Sequence, residues 1–96
     1  MDESSFELLR QQTEQQRRNF IATDIDTAMT FLQLARTELE IGDKEHASKL
    51  LVTARHAHDT IGRFIESVAD PEEKQRLSER FQLLGDAIRE AEFLQA

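Results

Sequence analysis

Ala47, Leu51, Ala54, His58, Ile61, Ile65 and Val68 recur at alternating intervals of four and three through the middle of the chain. Only an α-helix brings positions so spaced onto one side, because 3.6 residues complete a turn. Leu50, Ala57 and Phe64 flank the row and widen it into a face that must be buried. Glu45 and Lys49, Arg55 and Asp59, and Asp59 and Arg63 each stand four apart, where opposite charges support a helix from its exposed side. The spacing predicts a helix over about 44–69.

Sharp punctuation brackets that helix. Gly42-Asp43 stops the helix before it, with glycine for a left-handed C-terminal position and Asp43 to cap the helix over 44–69. Asp70-Pro71-Glu72-Glu73 starts the next: a capping Asp, a Pro at the first helical position, and acids in the first turn. Leu77, Phe81, Leu84, Ile88 and Ala91 then form a seam over about 71–94. Upstream, Ala28, Phe31/Leu32, Ala35 and Leu39, beside Ile25 and Met29, mark a helix over about 24–41, with Asp24 as its cap. Gly62 and Gly85 each interrupt a helix, as sites of close helix contact or as tolerated surface glycines.

Segment 4–19 reads as helix capped by Ser4 or Ser5. It carries Phe6, Leu8 and Leu9, but no large apolar residue between Arg10 and Asn19. A helix polar all round buries nothing, so this one bridges solvent, protrudes or frays, or else it runs straight into the next helix. The expectation is therefore a polar helix or mobile arm over 1–22 and a helical bundle over 23–96. Short turns force consecutive helices antiparallel. The fold class is all-α, an antiparallel three-helix bundle with an additional N-terminal helix.

Size and charge narrow the function. Ninety-six residues make one domain. A net charge of −7 argues against nucleic acid, which calls for clustered Lys and Arg, and the adjacent Arg17-Arg18 reads as a solvated face. The chain holds no cysteine, which excludes disulfides and thiol chemistry. Met1-Asp2-Glu3-Ser4-Ser5 is unlike a leader, and no apolar run reaches the roughly 20 residues that span a bilayer. A cytoplasmic protein without membrane insertion is the expectation.

The hairpin from Ala28 to Asp59 resembles a tetratricopeptide repeat. Phe31, Leu34 and Ala35 before the turn, with Ala47, Leu51 and Ala54 after it, match that family's aromatic, large and small positions. Glu38 stands where the family has a large residue and Asp59 where it has Pro. The resemblance implies a hairpin that binds a helix or peptide, its binding face presenting Met29, Leu32, Gln33, Arg36 and Glu40. A hairpin closed by a third helix is also similar in architecture to the microtubule-interacting-and-trafficking domains, which bind helices or peptides in interhelical grooves. In the competing reading the last helix lays Phe81, Leu84 and Ile88 over Met29 and Leu32 and closes the groove.

No catalytic constellation emerges. His56 and His58 are two apart on a helix and point about 200° apart, and His46 is distant, so no metal site is expected. The carboxylates sit at helix starts or in i,i+4 pairs, and no cofactor is implied. His58 followed by Gly62 is shared with histidine phosphotransfer domains, but Ile61 stands where those have Lys. The sequence thus points to a non-enzymatic adaptor or regulatory module binding a protein, a peptide or itself. Its partner-binding residues would be Met29, Leu32, Gln33, Arg36 and Glu40, with Phe6, Leu8 and Leu9. Alternatives are a phosphotransfer protein centred on His58 and a structural homo-oligomer sealed by Phe6, Leu8 and Leu9.

Overall fold

The computed structural model describes the backbone of residues 3–95 and the side chains of residues 13–95. Three helices succeed one another, α1 (Glu3–Glu40), α2 (Lys44–Ile65) and α3 (Pro71–Gln95), with no strand among the described residues. They pack as an all-α three-helix bundle.

The turns form as their residues dictate. Gly42 takes φ 88°, where a side chain would be strained, and Asp43 N–H donates to the Glu38 carbonyl at 2.8 Å. The Asp43 carboxylate accepts from His46 N–H at 3.0 Å and caps α2. Asp70 caps α3, its Oδ1 accepting from the backbone of Glu72 and Glu73. α2 stops at Ile65, short of the expected 69, because Ser67 and Val68 tighten into i→i+3 bonds to Phe64 and Ile65. Val68 still caps the core, 4 % exposed.

α1 departs most from expectation. Its 38 residues, about 57 Å at 1.5 Å per residue, run unbroken through Asp24, where the sequence predicts a new helix start. No Gly or Pro lies between Glu3 and Glu40, and Ile21, Ile25, Ala28, Leu32 and Ala35 make one continuous buried stripe. A boundary between 22 and 23 would therefore fall inside both the helix and the core. The polar stretch before Ile21 also has work to do. Arg17 donates to the Ser67 carbonyl at 3.1 Å and the Glu14 carboxylate accepts from Ala69 N–H at 2.9 Å. These bonds satisfy the backbone of the α2–α3 corner, which lies beside this part of α1, so the first turns of α1 continue past the end of α2 and the start of α3.

The core joins the α1 stripe to Ala47, Leu51, Ala54, Ile61 and Ile65 of α2 and Leu77, Leu84, Ile88 and Ala91 of α3. Cross-helix pairs show how the helices run. Phe20 meets Phe64 and Glu38 meets His46, eighteen residues apart on each helix in opposite directions, so α1 and α2 are antiparallel. Asp26 meets Arg80 and Arg36 meets Glu90, ten residues apart on each helix in the same direction, so α1 and α3 are parallel.

Candidate functional site

The groove expected on α1 is covered. Leu32 is 1 % exposed within the cluster that includes Leu84 and Ile88, and Met29 packs partly buried against it. Arg36 pairs with Glu90 of α3 at 3.9 Å, while Gln33 and Glu40 are exposed. α3 thus occupies this side of the hairpin, as in the competing reading, and Leu32 is a core residue. The side chains of Phe6, Leu8 and Leu9 lie outside the described residues. The small positions quoted for the repeat-like hairpin, Ala35, Ala47 and Ala54, are fully buried between the helices.

His58 sits at the α2–α3 contact. Its ring stacks on Phe81 with centroids 4.0 Å apart and planes 8° apart. The stack is reciprocal. Nε2 of His58 would stand 2.8 Å from a Cβ at Gly85, and Cζ of Phe81 would stand 3.1 Å from a Cβ at Gly62. Each helix offers a ring and, four residues on, a glycine to receive the other helix's ring, so both glycines mark close contacts. Burial lowers the His58 pKa from 6.5, against the Asp59 carboxylate and a hydrogen bond to the Phe81 backbone, which raise it; Arg55 and Arg89 lower it further. With Nε2 against Gly85 and Nδ1 4.0 Å from Asp59, the placement lends phosphotransfer no support.

One grouping with metal-ligand chemistry went unread in the sequence: Glu38, Asp43 and His46, whose ligand atoms lie within 4.8 Å of one another. Helix capping accounts for its geometry, since Asp43 holds the start of α2 and Glu38 Oε1 lies 3.3 Å from His46 Nδ1.

Among the described residues Ile41, Val52, Leu83, Phe93 and Leu94 are exposed apolar side chains at other places, and a further exposed surface is the outer face of the α1–α2 hairpin, opposite α3. On α1, Phe20, Thr23, Thr27, Thr30 and Leu34 stand at intervals of 3-4-3-4 and all are exposed. On α2, Leu50, Thr53, Ala57, Thr60 and Phe64 repeat the same intervals, Leu50 and Ala57 half-buried. Phe20 and Phe64 pack edge to face at 5.5 Å at one end of this face. Phe20, Leu34 and Phe64 keep 48 %, 47 % and 41 % of their surface in solvent.

The threonines make this face less polar than their names suggest. Thr27, Thr30 and Thr53 donate their hydroxyls to carbonyls four residues back, at 3.0–3.1 Å, which satisfies these donors within the helix. Asp26 and Arg55 turn to Arg80 and Glu92 of α3, and Asp59 lies beside His58. Asp24 is half-buried, and His56 and Arg63 are exposed at the α2 margin. Sequence patterning misses this row because threonine counts as polar; its signal is one spacing on both helices with no charge at any of the positions. No helix among the described residues is long and apolar enough to cross a membrane. No family model, curated protein or solved structure matches the chain.

Proposed function

We propose that this chain is a non-enzymatic protein-interaction module that docks a helical partner surface on the outer face of its α1–α2 hairpin. The observation that carries the reading is the uncharged row from Phe20 to Leu34 and from Leu50 to Phe64, exposed at every position but Leu50 and Ala57, in a chain of net charge −7. Acidic chains stay apart wherever they present charge, and contiguous exposed apolar patches on monomers usually mark interaction sites. The absence of Lys and Arg from the row favours a protein over nucleic acid as partner. A cytoplasmic location belongs to the same proposal, on the chain's acidic, cysteine-free composition.

The test is site-specific photocrosslinking in cells that express the chain. A photoreactive residue at Leu34 is expected to give discrete protein adducts, of this chain or another. The same residue at Leu83, an exposed apolar position on α3, is expected to give none. Equal labelling from both positions, or none from Leu34, would overturn the reading.

A further inference from the structure

We infer that Met29 is a peroxide-sensitive modification site, whose oxidation to the sulfoxide weakens the packing of α3 on α1. The inference is independent of the proposed interaction face.

Composition leaves a peroxide few targets. The chain has no Cys, Trp or Tyr and two methionines, Met1 and Met29. Among the described side chains Met29 is thus the only thioether, and it stands on a boundary. Ile25, Ala28 and Leu32, on one side of it along α1, are at most 2 % exposed. Asp26 and Gln33, on the other side, are exposed. Met29 itself is half-buried and packs against the core. A thioether sealed in a core meets an oxidant only when the protein opens, and one free on the surface is oxidised without consequence. Met29 combines access with a place in the packing.

That boundary is also where α3 docks. Asp26 pairs with Arg80 and Arg36 with Glu90, a constant offset of 54 residues. Met29 lies between these pairs along α1, which sets it level with Leu83 and with Leu84, a fully buried residue of α3.

The chemistry is an oxygen-atom transfer. A lone pair on the Met29 sulfur attacks one oxygen of hydrogen peroxide, the O–O bond breaks, and the other oxygen leaves as water after proton transfer. Sulfur is oxidised by two electrons and the peroxide is reduced by two. A soft apolar thioether becomes a polar S–O group that accepts hydrogen bonds. Arg80 and Arg36, at the two ends of this stretch, are already held by Asp26 and Glu90. The sulfoxide therefore either lacks a donor or draws one from an α1–α3 ion pair, and both outcomes loosen α3.

The test begins with the native protein in dilute hydrogen peroxide. Peptide mass mapping is expected to find one added oxygen on Met29, besides any on Met1. In urea, the unfolding equilibrium constant of the oxidised protein should rise at least about tenfold, and hydrogen exchange should quicken in α3. Methionine sulfoxide reductases should restore both. Met29→Leu conserves volume and should keep its stability through the same treatment. Met29→Gln, which sets a polar group there permanently, should show the loss without peroxide.

Three results would overturn the inference. Met29 could stay unoxidised in the native protein under conditions that convert it in urea. A sulfoxide at Met29 could leave unfolding unchanged. Met29→Leu could lose as much stability to peroxide as the wild type.

Discussion

The imidazole of His58 lies flat on the ring of Phe81, with centroids 4.0 Å and planes 8° apart. The pair holds α2 to α3 because each ring also rests on a glycine of the opposite helix, His58 on Gly85 and Phe81 on Gly62. Adding a methyl group at Gly85 is therefore expected to have the opposite effect from the usual one.

Replacing a helix-interior glycine by alanine ordinarily stabilises by about 1 kcal/mol. Here Gly85→Ala is expected to destabilise by about 1–3 kcal/mol, because the new Cβ would stand 2.8 Å from His58 Nε2. Gly62→Ala should lie above Gly85→Ala in stability, its contact with Phe81 being 3.1 Å. Urea unfolding measures both. Combining Gly85→Ala with His58→Ala should lose less than the two single costs together, since removing the ring removes the clash.

The same stack makes stability depend on pH. The folded protein holds the His58 pKa below 6.5, chiefly by burial, so below neutrality the unfolded chain binds more protons than the folded one. Stability then rises with pH through this window. The His58 contribution is complete above 6.5 and is lost as pH falls toward the lower, folded value. Unfolding curves for the wild type and His58→Gln between mildly acidic and neutral pH should diverge in slope, the variant being flatter. Equal slopes would assign the dependence to other groups.

The polar part of α1 should matter for stability although it carries no large apolar residue. Glu14→Ala removes the acceptor of the Ala69 N–H bond and is expected to cost about 1 kcal/mol. Hydrogen exchange should show faster exchange at Ala69 than in the wild type, with core amides of α2 tracking the global change only.

Along α1, Leu32→Ala and Ile21→Ala should each cost about 2–5 kcal/mol, as expected for emptying a packed core. Gln33→Ala, one position away and exposed, should stay within about 0.5 kcal/mol. Thermal unfolding separates the two classes. A near-neutral Leu32→Ala would reopen the groove between α1 and α3 as a binding site.

The seams of α2 and α3 were legible because their neighbours alternate cleanly between apolar and charged. Leu51, Ala54, Ile61, Leu77, Leu84 and Ile88 are buried as their spacing required. Ile21 was not, since it and Phe20 come after ten residues without a large apolar side chain and precede Asp24, which has the local chemistry of a cap. Nothing local announces that Arg17 and Glu14 serve backbone groups of residues 67 and 69, because those bonds exist only once the corner has closed. Of the residues expected to bind a partner, Leu32 failed because periodicity finds the apolar side of a helix but not which side the next helix will take. The face from Phe20 to Leu34 was hidden by its threonines, of which Thr27 and Thr30 bond their hydroxyls within the helix, as the structure shows.

A helical hairpin can receive a third helix on either of its two sides, and the choice decides whether the bundle turns to the left or to the right. Apolar burial favours the observed side, where Leu32, Leu51 and Ile61 share a core with Leu84 and Ile88, over the threonine-rich side that bears Phe20, Leu34 and Phe64. Asp26, Arg36 and Arg55 of the hairpin mark the other side by pairing with Arg80, Glu90 and Glu92 of α3. Each pair is partly exposed and adds little to the depth of the folded minimum. In the opposite-handed bundle all three would be lost together, and α3 would bring its charges to a row of threonines. The handedness that core burial favours is thus repeated in surface charges that hardly affect the stability of the fold.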